Sequence, residues 1–172
     1  SDFIDFVHRV FRSAPDPYYV AALTLELSKT NNKQILADFL AKVPPFKINM
    51  STYWEAIGLM VLQYHGGEIK QAQDTAQKLL VILTRYRAED PQSYQFWSLA
   101  QVHLMSAMYA GQTEQAEQIL NSGFAANEAW WLHDSGLIRA ILLPWADTDV
   151  VKAYMQRIED DALRARQKFA RE

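Results

Sequence analysis

Apolar residues recur along much of this chain at the spacing of a helix face, close to every 3.6 positions. Phe3, Phe6, Val7, Val10 and Phe11 form one stripe. Ala72, Ala76, Leu79, Leu80 and Leu83 form a second, and Leu99, Val102, Leu104, Ala107 and Met108 populate a broader face. No segment alternates strictly between apolar and polar positions, and no Asn-Gly or Asp-Gly hairpin signal occurs. The prolines punctuate the pattern at Pro15, Pro17, Pro44, Pro45, Pro91 and Pro144 and leave long windows uninterrupted. The spacing predicts an all-α chain with helices over 2–12, 17–29, 32–42, 52–65, 68–87, 92–110, 113–122, 127–143 and 148–170. Short connections favour antiparallel neighbours. Ser51 and Thr52, Thr113 with Glu114, and Asp147, Thr148 and Asp149 are the expected helix-start residues.

Within this pattern one phrase is written twice. GEIKQAQ begins at Gly67 and GQTEQAE at Gly111, each after an apolar helical run. A glycine at such a turn can take the left-handed conformation that ends a helix. Ala72 and Ala116 then fall early in the following helix, where a small side chain permits close approach opposite Ala56 and Ala100. This arrangement resembles the tetratricopeptide repeat, a helical hairpin of about 34 residues with glycine in the turn and alanine in the second helix. Ile35, in TNNKQILADFL, and Val150, in LPWADTDVVKAYM, occupy the same slot in two outer copies. The resemblance implies an α-solenoid of about four hairpins, with units near 17–43, 52–87, 92–122 and 127–170 and helix 2–12 as an orphan or cap. The final segment, LPWADTDVVKAYMQRIEDDALRARQKFARE, resembles the end of repeat regions in bacterial winged-helix regulators of the CadC/ToxR type and related signalling proteins.

Composition narrows the function classes. The chain has 172 residues, 49% hydrophobic and 22% charged, with a net charge of −3. That is ordinary for a globular protein and lacks the basic excess that neutralises phosphates, so direct nucleic-acid binding is not expected. The absence of cysteine excludes disulfides, thiolate metal sites and a cysteine nucleophile. No stretch reaches the roughly 18 apolar residues of a membrane span; Leu137 to Trp145 comes nearest and contains Arg139. The chain starts SDFIDF, without a methionine or a signal-peptide pattern, and is expected to be a piece of a longer protein.

Catalytic chemistry is not written in recognisable form. His8, His65, His103 and His133 are scattered without metal-ligand spacing, and phosphate-loop, dinucleotide and nucleophile-elbow motifs are absent. The acids Glu89-Asp90 and Glu159-Asp160-Asp161 are sequence neighbours whose side chains diverge on a helix. The last helix carries Arg164, Arg166, Lys168 and Arg171, which suit a helix C-terminus, with Asp160–Arg164 as an expected pair. No enzyme activity, cofactor or metal is therefore expected.

The aromatic residues Tyr53, Trp54, Tyr64, Tyr94, Phe96, Trp97, Trp130 and Trp131 suit packing between repeats. In the repeat register some first-helix positions instead face a concave groove. These are Trp54, Ile57, Val61, Tyr64 and His65, then Gln101, Met105, Met108 and Tyr109, then Leu132, Ser135 and Arg139. Trp54, Tyr64, His65, Gln101, Met105, Tyr109 and Arg139 are the expected binding residues, suited to a protein or peptide segment or a small apolar ligand. The expected function is a non-enzymatic binding or sensor module of a larger bacterial signalling or transcription-regulatory protein, in the cytoplasm or periplasm. A helical enzyme or carrier and a purely structural dimerisation domain stay open as alternatives. A homodimer through an uncovered Phe3, Phe6, Val7, Val10 and Phe11 stripe is the expected form of self-association.

Overall fold

The computed structural model describes residues 17–30, 32–122 and 135–169, and among them every regular element is helical. The elements are α1 (Pro17–Ser28), α2 (Lys33–Leu40), α3 (Tyr53–Gly66), α4 (Ile69–Glu89), α5 (Pro91–Phe96), α6 (Leu99–Tyr109), α7 (Thr113–Ser122), α8 (Ser135–Leu142) and α9 (Asp149–Phe169). A 3₁₀ turn, Leu143–Trp145, separates the last two. The helix expected at 2–12, with its aromatic stripe, lies outside the described residues, as do His8, Trp130, Trp131, Leu132 and His133.

The twice-written phrase makes the same turn twice. Gly67 has φ 88° and Gly111 has φ 72°, the left-handed region that glycine enters without a Cβ clash. In the first copy Gly67 N–H donates to the Tyr64 carbonyl (3.1 Å) and Glu68 N–H to the Gln63 carbonyl (2.8 Å). In the second, Gly111 N–H donates to Met108 (3.1 Å) and Gln112 N–H to Ala107 (2.9 Å). Both are Schellman caps, which satisfy the last carbonyls of α3 and α6 and send the chain back along them. Ala72 and Ala116 follow, both buried, and so are Ala56 and Ala100. Val150 is buried in its slot, while Ile35 is half-buried against a smaller cluster of Leu27, Leu36, Phe39 and Leu62.

Local chemistry sets the other boundaries. Asn32 caps α2, its side-chain oxygen accepting from Gln34 N–H (3.1 Å) and Ile35 N–H (3.3 Å). Thr148 caps α9 by accepting from Val151 N–H (3.4 Å). Thr52 precedes α3 without capping it; its hydroxyl donates to the Lys47 carbonyl (2.7 Å) and accepts from Asn49 N–H (3.1 Å), closing the incoming loop. The helix expected over 92–110 is two helices. Asp90 caps α5 through Ser93 N–H (3.0 Å), and the run breaks at Ser98, whose φ is 50°. In the last helix Arg164 pairs with Asp161, and Asp160 accepts from Gln156 Nε2 (2.9 Å), so the expected Asp160–Arg164 pair is not formed.

The helices build two layers. α1, α3, α6 and α8 touch in that order, and α8 also touches α1, so the inner layer closes on itself. α2 and α4 pack outside α3, α4 reaches α6, and α7 lies between α6 and α9. Gly58 allows α1 and α3 to approach closely: a Cβ there would stand 2.9 Å from Thr24 Oγ1. The main core runs from Leu25 through Ile57, Leu80, Leu104 and Ile141 to Ile158. Every residue of α6 is buried, because the helix has neighbours on all sides.

Candidate functional site

Closure of the inner layer decides the fate of the expected groove. Gln101, Met105 and Tyr109 are buried, at 4%, 0% and 2% exposure, so their positions do not form an open concave face. Ile57, Val61 and Met108 are buried with them. The faces that a more open stack would leave free are spent here on one another. At one end Tyr64, Tyr109 and Trp145 meet, with ring centroids 4.3–5.3 Å apart. Tyr109 Oη donates to the Ile141 carbonyl (2.9 Å), which locks α6 to α8. Trp54 and Tyr64 are half-buried against the core, and His65 sits edge-on to Tyr64 at 5.5 Å. Burial lowers the His65 pKa, and its Nε2 has no hydrogen-bond partner. Arg139 is exposed on α8. The structure therefore brings Tyr64, His65 and Tyr109 together, packs Trp54 beside Tyr53 against the core, and leaves Arg139 exposed.

His103 is occupied structurally. Its Nε2 lies 3.0 Å from Thr84 Oγ1 and its Nδ1 2.9 Å from Tyr94 Oη. Thr84 spends its proton on the Leu80 carbonyl (2.8 Å), so His103 must donate from Nε2 and accept the Tyr94 proton at Nδ1. Burial, and to a lesser extent the nearby Arg87 guanidinium, pull the His103 pKa down to about 4. Arg87 lies over the Tyr94 ring at 5.5 Å and donates to the Ser122 carbonyl (2.7 Å). This chain of polar contacts ties α4, α5, α6 and α7 together.

An open cleft occurs elsewhere, on the outer side of the first repeat copy. It encloses about 740 Å³ between the Val43–Ile48 segment, α3 and α4. Pro44 and Pro45 keep that segment extended and out of either helix. Phe46 and Ile48 pack partly into the core and hold it in place. Leu59 and Gln63 of α3 and Thr75, Lys78, Val81 and Ile82 of α4 form the opposite walls. Thr75 donates to Gln63 Oε1 (2.8 Å) at the cleft wall, which leaves the Gln63 Nε2 group as the donor of that pair. Val81 is 58% exposed although it sits mid-helix among apolar neighbours.

Compared with protein-family models, with curated proteins and with solved structures, the chain matches none. The chemistry of the cleft is thus read from its own residues: apolar walls, two lysines, and the polar side chains of Gln63, Thr75 and Gln77. Among the described residues no three histidine or acidic side chains converge as metal ligands, and no helix is long and apolar enough to cross a membrane. The cleft is not legible in the sequence because six of its fourteen lining residues come from the VPPFKI connection, which carries no helical period. Two signals were present. The run from Ser98 to Gln112 holds no acidic, lysine or arginine residue, the mark of a helix buried all round, and Val81 breaks the polar face of α4.

Proposed function

We propose that this chain is a non-catalytic binding module built from tetratricopeptide-like hairpins, serving as the ligand or peptide sensor of a larger bacterial signalling protein. The hairpins are curled until their first helices meet, and the binding surface is the outer cleft beside α3 and α4. The observation that carries this reading is the cleft itself, a concave, largely apolar site of about 740 Å³ with a few polar groups at its edge. Sites of roughly 300–1,000 Å³ with that character are where small ligands bind. Support for the hairpin reading comes from the paired Schellman turns and the buried alanine slots. A second reading, a dimerisation domain, is favoured by Phe96 and Trp97, which are 67% and 63% exposed and stack edge-on at 4.9 Å.

Thermal-shift screening of metabolites and short peptides tests the binding reading. A ligand at a hundred times its Kd stabilises the folded state by about 2.7 kcal/mol. The expected outcome is a saturable shift that Val81→Asp removes while the unliganded melting temperature is retained. Turnover of the ligand would overthrow the non-catalytic reading. Dimerisation through the exposed pair predicts that Phe96→Ser with Trp97→Ser lowers the mass seen by light scattering.

A further inference from the structure

The cleft is selective in its charge. Among its lining residues Lys47 and Lys78 are the charged ones, and there is no carboxylate. The chain as a whole is acidic, at −3, so a site bearing only positive charge runs against its average. Neither ammonium is neutralised within the described residues, where the ion pairs are Lys29–Glu26, Arg85–Glu89 and Arg164–Asp161. Asp74, one turn before Lys78 on α4, stands outside the lining and forms no ion pair with it. Both lysines are exposed and can lay their methylene stems along the apolar wall while the ammonium groups point to the rim.

We infer that the cleft holds a small anionic amphiphile, a free monocarboxylate whose apolar body lies against Phe46, Leu59, Val81 and Ile82 and whose carboxylate is held by Lys47 and Lys78. The inference rests on the binding-module reading and names its ligand class. Three observations separate this occupant from others. A peptide would bring a backbone donor and acceptor per residue into the cleft, yet besides the two lysines its polar side chains are only Gln63, Thr75 and Gln77, and the Thr75 proton is already given to Gln63. An anionic membrane surface is gripped by clusters of four to eight basic residues, against two here. A neutral apolar ligand would leave the two ammonium groups without a counter-charge beside a low-dielectric wall, where a charge-assisted hydrogen bond is stronger than in water.

Titration calorimetry on the 172-residue chain with decanoate, decanol and decyltrimethylammonium, each below its micelle concentration, tests this. The three probes share a chain length and differ in head-group charge. Decanoate is expected to bind saturably at one per chain, about tenfold more tightly than decanol, with decyltrimethylammonium weaker still. Lys47→Gln with Lys78→Gln should erase the preference for decanoate over decanol and leave decanol binding unchanged. Val81→Asp should weaken both probes. Far-UV circular dichroism and melting confirm that these exposed positions leave the fold intact. Equal affinity for decanoate and decanol, unchanged in the lysine variant, overturns the anion assignment and leaves the cleft standing as an apolar site. Binding that ignores Val81→Asp, or no saturable binding by any probe, overturns the cleft as well. Tighter binding of a glutamate-bearing decapeptide, or of phosphatidylserine vesicles, than of decanoate overturns the monocarboxylate in favour of that partner.

Discussion

The two copies of the repeated phrase close their hairpins in the same way and then diverge. In α3–α4 and in α6–α7 a left-handed glycine, a bond from the residue after it to a carbonyl five positions back, and a buried alanine recur. The second helices differ in length: α4 has 21 residues and α7 has 10. The surplus of α4 carries Val81 and Ile82 to the cleft and Thr84 and Arg87 to the polar chain around His103. The first helices differ too. α3 enters from a hydrogen-bonded loop that also walls the cleft, whereas α6 enters through the break at Ser98. Turn chemistry and one small residue set how a hairpin closes, and the parts not shared between copies carry the distinctive surfaces.

The largest expected effect centres on His103, which sits in the second copy and is bonded to Thr84 of the first. The folded-state pKa of His103 is about 4 against an ordinary 6.5, so its neutral form is the one the fold stabilises. Stability from this group is fully present above pH 6.5 and is lost as pH falls towards 4, because the unfolded chain takes up the proton first. The loss is on the order of 2–3 kcal/mol across that window. Denaturant melts at pH 7 and pH 4.5 should show it, and His103→Phe should flatten the slope. An unchanged slope in that variant would place the acid sensitivity in other groups.

Next in size are Ala72→Leu and Ala116→Leu, each expected to cost about 1–3 kcal/mol through overpacking. If the copies are equivalent at this slot, the two melting temperatures fall together. A neutral result at either position breaks the equivalence there. Smaller again is the pair Gly67→Ala and Gly111→Ala. A Cβ at Gly67 would approach only Lys33 Nζ, at 3.8 Å, and at Gly111 nothing within 4 Å, so the cost is backbone conformation alone, about 1–2 kcal/mol in both. A difference of more than about 1 kcal/mol between them would reveal packing that one turn has and the other lacks.

The smallest effect is a gain. Ser98 holds φ 50°, which costs an L-residue about 1–2 kcal/mol, and Ser98→Gly relieves it while adding about 0.4–1 kcal/mol of unfolded-chain entropy. The net expectation is stabilisation by some tenths of a kcal/mol, read as a small rise in melting temperature. A fall would mean that the serine side chain supports the break.

Helical periodicity made the elements legible, and glycine chemistry made the two turns legible, since both are local. The break at Ser98 was not, because Phe96, Trp97 and Ser98 carry no glycine or proline to announce it; Pro91 and the Asp90 cap begin α5 in a helix that the tertiary fold then ends early. Gln101, Met105 and Tyr109 of the expected binding face are buried for a longer-range reason. Whether Met105 or Tyr109 faces water depends on how tightly the first helices curl, and the register of a single hairpin does not contain that angle. Val81 and Lys78 gain their meaning only when a connection thirty-odd residues upstream folds against them.

The touch between α1 and α8 has a consequence for how the molecule comes apart. In a linear array each hairpin meets only its neighbours, and the ends can melt while the middle holds. Here the first and last described inner helices lean on each other, and α6 is enclosed between them and the outer layer. Opening any inner helix uncovers its partners, so amide protons in α6 should exchange with solvent only through global unfolding. Those in the second half of α9, where residues such as Leu163 are already exposed, can exchange through local fraying.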